Sequence, residues 1–245
     1  MDKKLRQAAL VSFILIAGCT DSSLIVNIPG SAGDSELVTQ SRPISDINAV
    51  VLSGAGALFI TQGDRTELRI RSEQMVLDHL STTVSGGELL VGFSGTFTLD
   101  HTMVLECFLT VESLEKIHLQ GLWKVDAAGL AGTPLTVRMD GLGEITLSTL
   151  NLPHLDVINR GPGSVTASGL ATSLAVELDA AGSYAGGGLI SDEADVSIRS
   201  AGSATLTVRN RLAAAISGNG YVYYYGDPVV TRTGNGTGSV QRIGG

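Results

Sequence analysis

Carboxylate side chains are the groups of this chain best suited to acid–base chemistry. Enzymes that cleave polysaccharides place two carboxylates beside the scissile bond, one as the proton donor and one as the base or nucleophile. The candidates here are Asp140, Glu144, Asp179, Asp192, Glu193 and Asp195. Their spacing does not pair any two of them, so the favoured interpretation is a solvated acidic surface. Cleavage of polysaccharide stays as an alternative function.

Metal and cofactor chemistry has weaker support in the sequence. The four histidines, His79, His101, His118 and His154, do not show metal-ligand spacing. A calcium-binding β-roll places Asp after Gly-X-Gly with a nine-residue period. In this chain the residues after the repeated glycine are Glu144, Ser164, Ser183, Ser203, Tyr221 and Ser239, at about twice that period. We therefore predict no metal, no cofactor and no catalytic residue.

Aromatic side chains concentrate in one place, Tyr221-Val222-Tyr223-Tyr224-Tyr225. In a strand, successive side chains point to opposite faces, which predicts Tyr221, Tyr223 and Tyr225 outward and Tyr224 inward. Outward tyrosines can stack on sugar rings or form a protein interface, or they can simply cover the last coil. We name Tyr221, Tyr223 and Tyr225 as a candidate binding patch for a glycan or an envelope protein.

Composition favours strands and argues against nucleic acid as a partner. The chain is 43% hydrophobic but only 4% aromatic, and it contains 31 glycines. Glycine costs about 1 kcal/mol relative to alanine inside a helix, so this mixture is typical of short strands and tight turns. The net charge of −8 repels phosphate backbones.

The N-terminus predicts export and lipid anchoring. A short basic region precedes an apolar run from Ala8 to Ala17, which is shorter than the ~20 residues of a membrane-spanning helix. Residues 15–19 (Leu-Ile-Ala-Gly-Cys) resemble the lipobox of bacterial lipoproteins, which implies cleavage after residue 18 and lipid, palmitate included, on Cys19. Asp21, rather than Thr20, carries the acidic side chain, which favours the outer membrane if the host has one. Residues 19–42 are rich in Ser, Asp and Gly and are predicted to be a flexible tether.

A repeat organises the rest of the chain. An apolar strand, a small-X-Gly turn and a second strand recur with a spacing of 18–20 residues. The second glycines of the turn are Gly143, Gly163, Gly182, Gly202, Gly220 and Gly238. Coils of this size cannot bury a face alone, so they must stack. We predict an all-β fold, a parallel β-helix-like solenoid with coils of about 18–20 residues.

Alignment on this glycine exposes apolar columns and a charged one. The residues two places after it are Val125, Ile145, Val165, Tyr184, Ala204, Val222 and Val240, and those four places before it are Leu119, Met139, Asn159, Leu178, Ile198 and Ile216. Alternation of this kind predicts inward columns. Three places before it stand Asp140, Arg160, Asp179 and Arg199, whose alternating signs predict an outward ladder of charges.

The residues before the regular repeats carry further signals. Residues 57–71 alternate as a strand does, Met75 to Leu80 predict a short helical turn, and Gly86-Gly87 separates two strands. We interpret residues 43–118 as the first, wider coils of the same solenoid, so that residues 43–245 form one domain. Cys107 is expected to be a buried small side chain.

These motifs together resemble the auto-transporter adhesin, head GIN domain family. The resemblance covers about residues 43–243 and rests on Gly54-Ala55-Gly56, Thr61-Gln62-Gly63, Gly86-Gly87-Glu88-Leu89 and Ser217-Gly218-Asn219-Gly220. It departs at Trp123, at residues 179–182 and at residues 200–202, where the first glycine is lost. It implies a β-helix-like fold and adhesion, and it brings no catalytic residues.

The expected function is therefore that of a lipid-anchored cell-envelope protein of the binding or adhesion type, without catalytic activity. Its partners would be the membrane, through the lipid on Cys19, and a glycan or an envelope protein. A polysaccharide-acting enzyme and a purely structural envelope component are the alternatives.

Overall fold

The computed structural model describes residues 11–14, 25–28, 36–95 and 103–244. Within these ranges the chain forms seventeen strands and one short helix. The first two strands, β1 (Val11–Ile14) and β2 (Ile25–Ile28), pair antiparallel with each other. Cys19 and His101 lie outside the described residues. In the part of the chain that is described, no helix has the length and apolar character needed to cross a membrane.

The next elements form the N-terminal part of the domain. They are β3 (Leu37–Arg42), β4 (Ala49–Gln62), β5 (Glu67–Glu73), α1 (Gln74–His79), β6 (Leu80–Ser85), β7 (Glu88–Phe93) and β8 (Leu105–Val111). The short helix and the break at Gly86-Gly87 are as predicted. The interpretation of this part as wider solenoid coils is only half right, because β4 pairs parallel with β7 and β8, but β5 pairs antiparallel with β3 and β8. β6 also pairs antiparallel with β7, as a hairpin.

The predicted tether is shorter than residues 19–42, because its last six residues form β3. Residues 37–42 pair with β5 from Leu37 opposite Glu73 to Arg42 opposite Leu68, and the Arg42 guanidinium donates to the carbonyl of Leu77 in α1. Serine, aspartate and glycine dominate the segment, but β3 itself opens on Leu37-Val38-Thr39. A run of this type has a high strand propensity and can extend a sheet edge.

The remaining strands build the solenoid. They are β9 (Lys116–Ala128), β10 (Leu135–Met139), β11 (Glu144–Asn159), β12 (Ser164–Leu178), β13 (Ser183–Ile198), β14 (Ser203–Ile216), β15 (Tyr221–Tyr225), β16 (Val229–Thr233) and β17 (Ser239–Gly244). Each long strand pairs parallel with its equivalent in the next coil. The predicted all-β, parallel solenoid is confirmed, and β4 joins it by pairing parallel with β9 over residues 49–61.

The inward columns have the register predicted from the glycine alignment. Ile145, Val165, Tyr184, Ala204 and Val222 are successive partners across β11–β15, and all five are buried. Their column and its neighbours belong to one continuous core, which includes the N-terminal strands and Cys107. Within the described residues the hydrophobic core therefore runs without a break from the N-terminal strands into the regular coils.

Asn159 is the polar member of an inward column, and the turn that follows it explains its presence. Its side-chain oxygen accepts from the Gly161 amide at 3.0 Å, and its side-chain nitrogen donates to the Gly163 carbonyl at 2.8 Å. A buried amide is tolerated where its hydrogen bonds are satisfied. Asn159 thus takes the place of an apolar side chain and stabilises the turn that follows it through two hydrogen bonds.

The recurrent glycines allow the turns of successive coils to approach closely. A Cβ atom on Gly161 would overlap the carbonyl oxygen of Gly141, and one on Gly141 would overlap that of Gly121. The second glycine of each turn, such as Gly163, is similarly placed against the coil before it. Gly121, Gly141, Gly161 and Gly163 all have φ outside the left-handed region. Glycine is therefore required at these positions by the close approach of the coils and not by an unusual backbone conformation.

Trp123 stands where the glycine register would place a glycine. Its ring is buried, its indole N–H donates to the Ser53 carbonyl at 3.2 Å, and it lies against Gly56 of the preceding coil. A Cβ on Gly56 would come within 2.8 Å of the ring. The lost glycine is therefore replaced by an aromatic side chain that fills the wider first coil.

Gly161→Ala should lower the free energy of unfolding by at least about 2 kcal/mol, because the added methyl forces two turns apart. Gly187→Ala is the matched control: its Cβ would meet nothing nearer than the Tyr225 ring at 3.5 Å. That change should be neutral or stabilising by up to about 1 kcal/mol. Urea unfolding followed by circular dichroism measures both, and equal effects of the two substitutions would refute the close-approach explanation.

Candidate binding surface

The tyrosine patch lies on β15, at the last regular rungs of the solenoid. β15 pairs with β14 so that Tyr221, Tyr223 and Tyr225 stand opposite Ser203, Thr205 and Thr207. Tyr221 and Tyr225 are 45% and 40% exposed, whereas Tyr224 is partly buried against the core. The outward and inward orientations therefore agree with the alternation of the sequence.

The three rings form a shallow aromatic surface. The Tyr221 and Tyr223 rings are stacked, with centroids 6.1 Å apart and planes 9° from parallel. The Tyr225 ring lies over the backbone of Gly187 on β13, two strands away, and beside Gly244 on β17. Rings held in this way present fixed faces to a ligand, so that little side-chain entropy is lost on binding.

The glycine at position 186, beside this surface, has its origin in the core. Tyr184 occupies an inward column otherwise filled by smaller side chains, and a Cβ on Gly186 would overlap its ring. The parallel register shifts in this region, between Gly186 and Ile190. Burial raises the pKa of the Tyr184 phenol. The large core ring thus favours glycine at position 186, whereas the outward Gly187 is the residue that lies under the Tyr225 ring.

Rows of hydroxyl side chains extend from the tyrosines across the same side of the solenoid. We call this surface the tyrosine–hydroxyl face. Its outward residues are Thr146, Ser148, Ser164, Thr166, Ser168, Ser183, Ala185, Gly187, Ser203, Thr205, Thr207, Tyr221, Tyr223 and Tyr225. All of them are uncharged. Glu144, on the first of these rungs, is outward and exposed.

One row of this face can be followed from coil to coil. Thr146 pairs with Thr166, Thr166 with Ala185, Ala185 with Thr205 and Thr205 with Tyr223. The sequence interpretation missed this row. Its signal is present in the threonines three places after the repeated glycine, Thr146, Thr166 and Thr205.

A second aromatic group lies at the other end of the same row. Phe59 on β4 and Phe108 on β8 are stacked with centroids 5.2 Å apart, and the Arg69 guanidinium lies 5.9 Å from the Phe108 centroid. Phe59 pairs with Asp126, and Asp126 pairs with Thr146. This cluster is only partly exposed and is charged, unlike the tyrosine end.

Ion pairs occupy a different side of the solenoid, which we call the charged face: the outward side chains of residues 135–140, 154–160, 173–179, 193–199 and 211–216. Asp179 contacts Arg160 at 3.4 Å and Arg199 at 2.6 Å, as the predicted ladder requires. Asp140 instead contacts His118 at 2.7 Å and Arg138 at 2.8 Å. Burial opposes ionisation of Asp140, but hydrogen bonds from Arg138 and His118 hold the pKa of its carboxyl below the usual value.

Asp192, Glu193 and Asp195 are also held by arginine. Asp192 contacts Arg209 at 3.1 Å. Arg211 binds Glu193 at 3.0 Å and both oxygens of Asp195, at 2.9 Å and 3.0 Å. The hydrogen bonds from Arg211 lower the pKa of Asp195. A carboxylate whose oxygens accept from a guanidinium is poorly suited to act as a proton donor or a base.

The pKa of Asp156 is shifted in the opposite direction to that of Asp195. Burial raises the pKa of the Asp156 carboxyl and the charge of Glu177 adds to this effect, although His154 opposes it. Asp156 pairs with Ala175, which pairs with Asp195, so the two aspartates lie two rungs apart, about 10 Å. The shallow trough of about 240 Å³ between the charged rows is lined mainly by alanine, serine and threonine.

Cysteine and histidine are not brought together into a reactive site in the described ranges. Cys107 is buried, and burial raises the pKa of its thiol to about 12, which leaves it protonated and unreactive. His154 contacts Ser173 at 2.7 Å, and His118 contacts Asp140. Across the described residues, no three His, Cys, Asp or Glu side chains are grouped as a metal ion would require.

The chain has clear similarity to one protein family. Residues 46–228 match the family model described as "Putative auto-transporter adhesin, head GIN domain". No relative was found among the curated proteins.

Three solved structures share this fold. A protein of Bacteroides fragilis titled a putative adhesin superposes with a TM-score of 0.80 at 21% identity, covering 85% of this chain and 97% of that one. A Parabacteroides distasonis protein titled a putative lipid binding protein gives 0.70 at 20% identity, covering 90% and 99%. A putative adhesin of Parabacteroides merdae gives 0.62 at 20% identity, covering 91% and 100%. At these identities the similarity shows the fold.

Substitution of the two aspartates should change stability in opposite directions at about pH 7. The pKa of Asp195 is lower in the folded chain, so its ion pair stabilises the fold above about pH 4 and this contribution is lost as the pH falls through the folded pKa. The pKa of Asp156 is raised, so its contribution is present in acid and is lost as the pH rises through the folded pKa.

Asp195→Asn should therefore lower the melting temperature by about 1–2 °C at neutral pH, and Asp156→Asn should raise it by a similar amount. Both differences should shrink at about pH 3, because Asp156 is protonated there and the contribution of Asp195 decreases below its unfolded pKa of about 3.9. Thermal unfolding at the two pH values measures them. Shifts of the same sign at neutral pH would contradict the assigned electrostatics.

Proposed function

Because the chain belongs to the auto-transporter adhesin, head GIN domain family, we propose that it is a lipid-anchored envelope protein that binds its ligand without catalysis. The observation that carries this proposal is the tyrosine–hydroxyl face: three outward tyrosines at one end of a regular, uncharged surface. Tyr221, Tyr223 and Tyr225 are its contact residues for a glycan or an envelope protein.

The anchor is proposed from residues 15–19. Cleavage after residue 18 would leave Cys19 as the first residue of the mature chain, with its lipid in the membrane. Two or more acyl chains make such an anchor stable, since each buried methylene contributes about 0.8 kcal/mol. β3 begins at Leu37, so residues 20–36 would join the lipid to the folded domain, and β1, which precedes the cleavage site, would belong to the precursor.

A non-catalytic role is favoured by the way the carboxylates are used. Asp140, Asp179, Asp192, Glu193 and Asp195 each contact at least one basic side chain on the outer surface. Such pairs favour the stacking register, and they leave the carboxylates bound to basic side chains. The same observation makes polysaccharide cleavage the weaker alternative. A purely structural role would not explain an exposed, ordered aromatic patch, since exposed patches of this kind mark interaction sites.

Cys19→Ser should release the protein from the membrane. In cells supplied with radiolabelled palmitate, the natural chain should be labelled and should sediment with membranes, whereas Cys19→Ser should be unlabelled. Cys107→Ala is the matched control, because its thiol is buried in the core, and it should keep both the label and the membrane location. Membrane-bound, labelled Cys19→Ser would show that the anchor lies elsewhere.

The double change Tyr223→Ala/Tyr225→Ala should reduce the envelope material that the immobilised chain retains by at least about fivefold, since a lost aromatic contact costs about 0.5–1.5 kcal/mol and two are removed. Arg160→Ala/Arg199→Ala, on the charged face, is the comparison variant and should retain as much as the natural chain. Quantified elution from envelope extract measures both. Unchanged retention by the tyrosine variant would exclude this patch as the contact surface.

A further inference from the structure

We propose that the ligand of the tyrosine–hydroxyl face is a neutral glycan chain lying across the rungs from Thr146 to Tyr223. This inference rests on the proposed binding function and names the chemical class of its ligand. It also extends the site from the three tyrosines to the hydroxyl rows of the four coils before them.

The distribution of charge favours an uncharged ligand. From Thr146 onward the outward residues of the face carry no ionisable acid or base, apart from the tyrosine phenols, whereas the charged face carries ion pairs on successive rungs. An acidic polymer would find no cation on the tyrosine–hydroxyl face and would be repelled by a chain with a net charge of −8. A basic ligand would find no carboxylate there beyond Glu144.

Hydroxyl groups of the central row are available for hydrogen bonds. Thr146, Thr166 and Thr205 point outward, and no side-chain hydrogen bond joins any of them to another described residue. Thr207, by contrast, donates to the Gly187 carbonyl at 2.8 Å. A hydroxyl is both a donor and an acceptor, as sugar hydroxyls are, so the two can exchange hydrogen bonds without any charge.

The aromatic end supplies the apolar half of sugar recognition. A sugar ring has a C–H face and a rim of hydroxyls, and a tyrosine has an apolar ring and a polar tip. The stacked Tyr221–Tyr223 pair and the Tyr225 ring can receive such C–H faces while their phenols remain in water. Aromatic rings and small hydroxyls on one surface thus match both parts of a sugar.

Regular spacing suits a polymer better than a single sugar. Adjacent parallel strands are about 4.8 Å apart, so the row from Thr146 to Tyr223 spans four such steps, about 19 Å. Protein–protein interfaces, in comparison, are depleted in serine and alanine and enriched in arginine and methionine at their centres. This face contains five serines, Ala185 and Gly187 between its threonines, and it carries no arginine or methionine; its three tyrosines are the one residue type that it shares with protein interfaces.

Affinity electrophoresis tests the assignment directly. The full chain carrying Cys19→Ser is run through gels that contain neutral polysaccharides (xylan, glucomannan, laminarin, arabinogalactan, dextran) or acidic ones (alginate, polygalacturonate). We expect at least one neutral polysaccharide, and neither acidic one, to retard the protein. Added salt should leave the retardation unchanged, because screening acts only on charged contacts.

Two variants and a matched control locate the contact. Tyr223→Ala should weaken the association constant by about 2- to 13-fold, through the loss of one ring contact. Thr166→Glu should also weaken it, because the change places a carboxylate in the neutral row. Thr231→Glu makes the same change at an exposed position of β16, in the row of the charged face that includes Ala213, and should bind as the natural chain does. Thermal unfolding checks that all three are folded.

Four results would overturn the proposal: retardation by acidic polymers alone, no retardation by any neutral polysaccharide, equal binding by Thr166→Glu and the natural chain, or equal loss in Thr231→Glu. If the natural chain still retains envelope material through its tyrosines while neutral glycans fail, the ligand class is wrong and the binding function stands. If the tyrosines do not affect retention either, the binding function falls as well.

Discussion

Close approach of the backbone between successive coils is the constraint on which this structure depends. Parallel strands must lie about 4.8 Å apart to form their hydrogen bonds, and the turns between them must fit within the same rise. Turn amides take part in this ladder, as when Leu142 donates to the carbonyl of Gly121 at 3.1 Å and Ser164 to that of Gly143 at 3.2 Å. A side chain at the glycine positions would separate the turns and so the strands. Once the turns are stacked, equivalent residues of successive coils become neighbours, except where the register shifts, as between Gly186 and Ile190.

The register of the stacked coils also determines the chemistry of the outer surfaces. Inward positions make apolar columns, and outward positions make rows whose chemistry is set by one residue type per coil. Exposed ion pairs contribute only about 0–1 kcal/mol each, so the ladder of Arg160, Asp179 and Arg199 favours this register more than it stabilises the fold. Collecting the charges on one face leaves another face neutral. The tyrosine–hydroxyl face can therefore contact a ligand without the cost of removing charges from water.

The sequence predicts the parts of the fold that repeat. The period of the glycines, the inward columns and the contacts of Asp179 all follow from alignment of one coil on the next, because parallel pairing puts equivalent residues side by side. The sequence did not predict the antiparallel pairing of β5 with β3 and β8. This pairing occurs once in the chain, so no alignment of one repeat on the next can indicate it. Asp140 likewise binds His118 and Arg138, residues outside its own column. At the site, the tyrosines stand together in the sequence and can be recognised as a cluster. The residues of a hydroxyl row are about 18–20 positions apart and become neighbours only through the register of the coils.

The central claim is that the uncharged, aromatic-ended face, and not the charged one, is the surface that binds. Hydroxyl-radical footprinting by mass spectrometry, which reports the solvent exposure of individual side chains, tests it most directly when performed with and without saturating envelope polysaccharide. Tyr221, Tyr223 and Tyr225 should be protected, with unchanged oxidation of exposed residues elsewhere, such as Met75 on α1 and Val229 on β16. Protection of Val229 or of the arginine rows, with the tyrosines still oxidised, would contradict this claim.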